Sequence, residues 1–376
     1  MTKRAGHILI IFLDFAMGGT ELIALKLARE WVKAGRRVTI LCGTYEGPLW
    51  GKVPKGVDVI CVAPEIGTSL FSRLKLRRVL SPYIDKIAPD VVFLQGNFYI
   101  VLARAIAKSR CHPPVVVKIS NPISPADSFG PIRWITNRAY AHAAHDADWL
   151  AAMSSGLMVE AKYVTGSDRV SVIFDPNVEG VGPPARARAE LQPTDPIRLL
   201  AAGRLAPQKD FALALRVTAA LARTRDVHLT ILGEGEKRGS LERLAEALGI
   251  ADRVSMPGHA PSIIPALAGA NALLVTSVYE GGPAVAVEAL AQGVPVISTD
   301  CSHFLHDVLA APGSGQIVAS RDPEALAAAV EAVLSRADGQ TLDPVSATAA
   351  YRTDTASAAY LALFDRLVAE RQSAPV

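Results

Sequence analysis

Four residues carry the chemistry this sequence can offer. Glu280 and Glu288 stand eight positions apart, flanking the stretch Gly281-Gly282-Pro283-Ala284, and Arg204 and Lys209 stand five apart directly after Gly203. Paired carboxylates accept hydrogen bonds from sugar and ribose hydroxyls. Arg is a rigid bidentate donor for phosphate and Lys a mobile point charge. Together the two cations can neutralise a pyrophosphate without a metal. Taken alone, each pair also fits a solvated helix face or a surface turn, so the surrounding elements decide.

Those elements place the residues well. Leu273 to Val278 is apolar, β-branched and too short for a helix, which predicts a buried parallel strand. Pro283 suits the first turn of a helix, Ala284 to Ala291 continue it, and Gly293 stands where a helix C-terminus closes. Val294 to Thr299 is the next strand. Ile197 to Ala202 is another, ending in Gly203-Arg204 before a helix over Phe211 to Arg223. Open α/β sheets bind ligands beside the carboxyl ends of strands, and a helix N-terminus there favours anions. The stretch reads as a nucleotide-sugar site, with Glu280 on the sugar and Glu288, just inside the helix, on the ribose.

The remainder alternates strands and helices. His7–Leu13, a helix over Glu21–Ala34 and Val38–Cys42 form a βαβ opening. Gly18 and Gly19 lie in its turn, without the third glycine of a dinucleotide fingerprint. Strands follow at Gly56–Ala63, Val91–Leu94, Pro114–Ile119, Trp149–Met153 and Val170–Phe174, with helices at Ser69–Lys86, Phe98–Ser109 and Pro131–Ala144. Asn97 and Asn121 stand just after two of these strands. Val181–Pro196 is rich in Pro, Ala and charge and is the linker candidate. In the second half, Val227–Leu232 ends in Gly233 and Val254–Met256 leads to Gly258-His259. From Pro344 a helix is expected, with Tyr360, Leu361, Leu363, Phe364, Leu367 and Val368 as its apolar stripe. The predicted class is α/β, two Rossmann-like doubly wound domains facing a cleft, at 1–185 and 196–345, with 346–376 packing back on the first.

Composition narrows the class. Hydrophobic content of 50% against 20% charged residues supplies a core and argues against disorder. A net charge of only +3 argues against a nucleic-acid binder. Residues 1–180 hold 22 Lys plus Arg against 15 Asp plus Glu, a balance of +7 that leaves −4 for the rest. A basic first half suits a negative acceptor or an anionic membrane surface. Arg73, Lys75, Arg77 and Arg78 among Leu70, Phe71, Leu74 and Leu76 fit either a membrane-surface helix or an ordinary solvated face. No apolar run approaches a membrane span, so a cytoplasmic protein is expected, peripheral at most. The four cysteines are scattered without metal-ligand spacing and read as reduced. Asp146-Ala147-Asp148 copies an Asp-any-Asp metal pattern but sits at a helix end, where it reads as capping; no metal or other cofactor is expected.

The segment Glu280 to Glu288, with the AQGVPVIST run after it and the Gly-Arg…Lys motif before it, resembles the large retaining GT-B glycosyltransferases of the group 1 (family 4) type. The resemblance spans nearly the whole chain and is strongest from about Leu199 to Val318. It implies transfer of a hexose-type sugar, with retention, from a UDP-linked donor to a glycan or lipid-linked acceptor in surface polysaccharide assembly. It implies a donor site of Gly18, Gly19, Gly203, Arg204, Lys209, Gly233, His259, Glu280 to Ala284 and Glu288, with Arg204, Lys209 and Glu280 catalytic. Asn97 and Asn121 are acceptor-side candidates. Where many relatives carry a His that approaches the anomeric centre, this chain has Asn121, which cannot take a proton. The retaining mechanism assigned to the family uses the leaving phosphate for that proton. Alternatives are epimerase or phosphorylase chemistry on the same fold, or an inactive homologue that binds nucleotide or scaffolds an assembly.

Overall fold

The computed structural model describes residues 4–67, 69, 71–124, 130–179, 194–335 and 340–373. The chain divides into two compact units, Met1–Pro176 with Arg352–Val376, and Asn177–Tyr351. Of the expected linker, residues 181–193 lie outside the described residues, as does Leu70 of the basic helix.

The first unit is built on a parallel sheet of seven strands: β1 (His7–Phe12), β2 (Arg37–Cys42), β3 (Val57–Cys61), β4 (Val91–Leu94), β5 (Val115–Ile119), β6 (Trp149–Ala152) and β7 (Val170–Val172). Their spatial order is β3-β2-β1-β4-β5-β6-β7. β4, β1 after His7, and β5 apart from Lys118 are runs of Ile, Leu, Val and Phe because helices cover both faces of such a sheet. Trp31, Phe93, Tyr360 and Phe364 pack at the centre of one face, with ring centroids 5.1–6.1 Å apart. Tyr360 and Phe364 come from the last helix, Thr353–Ser373, so the C-terminus completes the core that the N-terminus begins. Arg36 clamps that helix with two bonds to Asp365, at 2.9 and 2.8 Å.

The second unit repeats the plan with β8 (Ile197–Ala202), β9 (Val227–Leu232), β10 (Val254–Gly258), β11 (Ala272–Val275), β12 (Val296–Thr299) and β13 (Gly315–Val318). The order is β10-β9-β8-β11-β12-β13, again parallel. In each unit the winding reverses once, between β1 and β4 and between β8 and β11. Ligands of doubly wound sheets bind at such switch points.

Two elements differ from expectation. The helix expected over Phe98–Ser109 begins as 3-10 turns at Asn97–Leu102 and becomes α-helical only at Ala103–Ala107. Asn97 holds its start down: its side chain donates to Asn121 O at 2.6 Å and accepts from Ser120 N at 2.8 Å. The C-terminal helix is broken into Pro344–Thr348 and Thr353–Ser373. Between them Tyr351 is buried against Phe304, ring centroids 5.5 Å apart, and its carbonyl accepts from Asn177 N and Val178 N. The break falls where the chain leaves the second unit.

Candidate active site

The second unit brings Lys209 and Glu280 together at its switch point. Lys209 ends the 3-10 turn Pro207–Lys209 after β8, and Glu280 lies in the loop after β11. Lys209 Nζ stands 2.5 Å from Glu280 Oε1, and Ser277 Oγ donates to the same oxygen at 2.6 Å. The Glu280 side chain is 9% exposed and that of Lys209 21%, so the pair is largely desolvated.

Backbone bonds fix this geometry. Val278 N donates to Gln208 O at 2.8 Å, Gln208 Nε2 to Tyr279 O at 2.9 Å, and Thr276 Oγ1 to Lys209 O at 3.1 Å. Glu280 N donates to Cys301 O at 2.8 Å, and Ser302 Oγ to Gly281 O at 2.9 Å. Arg321 spans the loops, reaching Ser277 O at 2.8 Å, Thr276 O at 3.0 Å and Asp210 Oδ2 at 2.6 Å. Asp210 takes a left-handed conformation, φ 42°, and caps the helix Phe211–Leu221 through Leu213 N. That turn aims the preceding Lys209 back over the strand ends. Burial pushes the nearby Cys301 thiol upward in pKa, which keeps it protonated and unsuited to nucleophilic work.

Two glycines are required by close approach. Gly203 has φ +150°, and a Cβ there would stand 3.0 Å from Lys209 Cε, so the lysine stem lies across the bare backbone. Gly233 has φ +146°, and a Cβ there would stand 1.8 Å from Gly203 O. Arg204 is exposed, and its side chain makes no hydrogen bond or ion pair among the described residues. Such a cation is available to an incoming anion.

The helix Ala284–Ala291 starts beside Glu280, with Pro283 at its N-cap and Gly293, φ +68°, beyond its end. Glu280 and Glu288 line different depressions. Glu280 shares a small cavity with Lys209, Thr276, Ser277 and Pro283. Glu288 opens onto a separate cleft of about 690 Å³, shared with Gln292, Ala260, Ser262, Ile264 and Asn177. That volume falls in the roughly 300–1,000 Å³ range of small-molecule sites. His259 is exposed and is not among the lining residues, whereas the loop that follows it is.

The other candidates belong to the first unit. Gly18 is extended and precedes the helix Gly19–Lys33; a Cβ on Gly18 would meet Glu21 Oε2, and one on Gly19 would meet nothing within 4 Å. Asn97 is buried with its amide spent on the backbone of residues 120–121, while Asn121 is exposed. Asp148 accepts from Val115 N at 2.8 Å and meets Arg371 at 3.1 Å. Sequence reasoning missed Ser277 and Arg321. Ser277 lies three residues before Glu280 and was legible in principle; Arg321 comes from beyond β13 and left no local signal.

The family model of Glycosyl transferases group 1 matches residues 185–343, and that of the Glycosyl transferase 4-like domain matches residues 18–177. A lipopolysaccharide core biosynthesis glycosyltransferase of Rhizobium meliloti, LpsE, is 33% identical over 152 residues, 39% of this chain and 43% of its own. The lipopolysaccharide 1,6-galactosyltransferase of Salmonella typhimurium is 26% identical over 192 residues, 49% of this chain and 51% of its own. The matched stretches span about half the length of these curated relatives. Among solved structures, the lipopolysaccharide outer core galactosyltransferase WaaB covers 97% of this chain and 100% of its own, with a TM-score of 0.73 at 21% identity. Anabaena HepE in complex with UDP and glucose covers 99% and 100%, with a TM-score of 0.68 at 16% identity. With one half matched by the group 1 model, the other by the glycosyl transferase 4-like model, and both sheets wound alike, the chain belongs to the group 1 glycosyltransferases of the GT-B fold.

Proposed function

We propose that this protein transfers a hexose from a UDP-linked sugar to a glycan or lipid-linked acceptor, with retention of configuration, in the assembly of lipopolysaccharide or another surface polysaccharide. The observation that carries the reading is the desolvated Lys209–Glu280 pair at the switch point, beside Arg204, whose side chain has no partner among the described residues, and a cleft that holds Glu288. Arg204 and Lys209 stabilise charge developing on the departing diphosphate; electrostatic terms of this kind are commonly the largest in catalysis. No metal or cofactor is assigned. Glu280 orients sugar hydroxyls, Glu288 and the loop after His259 take the nucleoside, and Gly203 and Gly233 keep the floor of the site free of side chains. The leaving phosphate accepts the acceptor's proton, so Asn121 need not. The acceptor is assigned to the first unit, where Asn97 shapes the loop that carries Asn121. Peripheral attachment to an anionic membrane face is assigned from the basic first half. Among the described residues no helix is long and apolar enough to cross a membrane.

The test is sugar release and transfer from a panel of nucleotide sugars, with NMR of the product anomer. UDP-hexose turnover with retention, lost in Arg204→Ala, supports the reading. Nucleotide binding without hydrolysis or transfer would instead indicate an inactive homologue.

A further inference from the structure

The first unit holds a second concentration of uncompensated positive charge, sharing no residue with the donor site. A cavity of about 390 Å³ is lined by Leu74, Arg77, Arg78 and Ser81 of the helix Ser72–Ile87 and by Arg104 and Lys108 at the helix Ala103–Ala107. Positions 74, 77, 78 and 81 share one helix face, as do 104 and 108, so two elements turn cations toward one space. Among the described residues no Asp or Glu lines it. Asp85, the nearest acid along the first helix, is committed to Arg110 N at 2.6 Å and Cys111 N at 3.3 Å. Arg104 Nη1 lies 3.2 Å from His142 Nε2, a partner that brings no negative charge. The side chains of Arg77, Arg78 and Lys108 make no hydrogen bond or ion pair among the described residues.

Like charges at such spacing repel. A bound anion removes the repulsion, and guanidinium forks match phosphate oxygens in pairs. The lining also includes an exposed apolar side chain, Leu74, at 46%. We propose that this cavity binds a phosphoryl group, a phosphate mono- or diester borne by an anionic lipid headgroup or by a soluble phosphorylated saccharide. The site goes beyond the donor reading, and either can fail alone.

The test uses the full chain and two probes, phosphatidylglycerol vesicles in co-sedimentation, with phosphatidylcholine vesicles as baseline, and glycerol phosphate in calorimetric titration. Arg77→Gln/Arg104→Gln removes two lining charges; Lys75→Gln/Lys86→Gln removes two from the same helix at positions that do not line the cavity. The first pair weakens binding about thirtyfold, or about fivefold per charge, and the second less than about threefold. Binding of vesicles alone assigns the headgroup, and binding of glycerol phosphate assigns a soluble phosphate ester. If the first pair does not fold, Arg78→Gln and Lys108→Gln, both on exposed side chains, each weaken binding about fivefold. Equal weakening by both pairs, or no binding of either probe by the wild type, overturns the proposal.

Discussion

Lys209→Met separates what the lysine does for the fold from what it does for the ligand. Methionine keeps most of the stem that lies across Gly203 but removes the charge facing Glu280. Stripping one partner from a fully buried ion pair costs about 3–5 kcal/mol, because the other charge stays buried. Here Lys209 is about a fifth exposed and Ser277 Oγ still donates to Glu280 Oε1. The expected loss is therefore about 2 kcal/mol. For a unit the size of Asn177–Tyr351 this lowers Tm by roughly 4–8 °C. Adding Glu280→Gln removes the stranded charge while keeping an acceptor for Ser277, so the double variant regains all but about 1 kcal/mol. Activity must not return with stability, since the double variant lacks both the phosphate cation and the sugar carboxylate. Thermal melts of the two single variants and the double, each paired with a donor-hydrolysis assay, complete the cycle. A Lys209→Met protein as stable as wild type, or a double variant whose loss equals the sum of the singles, refutes the pairing argument.

Four other outcomes follow from the same geometry. Gly233→Ala drives a Cβ into Gly203 O and should abolish folding of the second unit or cost more than about 3 kcal/mol, whereas Gly19→Ala, with open space around it, should melt like wild type; circular dichroism separates them. Phe364→Ala empties the Trp31–Phe93–Tyr360 cluster and should cost about 3–5 kcal/mol in chemical denaturation, although the residue lies near the C-terminus. Burial and the neighbouring Arg37 hold the His7 imidazole below its ordinary value of 6.5, so the unfolded chain binds the proton more readily. Stability should fall as pH drops through about 6.5, and His7→Asn should flatten that part of the profile. Arg204→Ala, on an exposed side chain, should leave the unfolding free energy within about 0.5 kcal/mol of wild type while lowering kcat about a hundredfold.

Much of the fold is legible in the sequence because parallel strands buried on both faces must be apolar runs. Ile-Leu-Ile-Ile in β1 and Ala-Leu-Leu-Val in β11 are recognisable without context. Helix ends were readable where glycine takes a positive φ, as at Gly35 and Gly293. Less legible were features set by contacts distant along the chain. Lys118 interrupts the run VVVKI, yet it is 1% exposed, because Asp175 meets its Nζ at 2.7 Å from 57 residues away. The break at Tyr351 depends on Phe304 and on the backbone of Asn177 and Val178. In the candidate site, the eight-residue spacing puts Glu280 in the loop after β11 and Glu288 inside the helix that follows. The two carboxylates line separate depressions, which spacing alone does not convey.

The central claim, that the second unit binds the diphosphate of a nucleotide sugar through Arg204 and Lys209, is tested most directly by calorimetric titration of UDP. Wild type, Arg204→Ala and Lys209→Met are compared, each with and without a chelator. The account predicts saturable binding by the wild type that the chelator does not change, weakened about tenfold or more in each variant, since charge-assisted phosphate bonds contribute about 1.5–3 kcal/mol apiece. UDP affinity that is the same in all three proteins, or no UDP binding by the wild type, would contradict it.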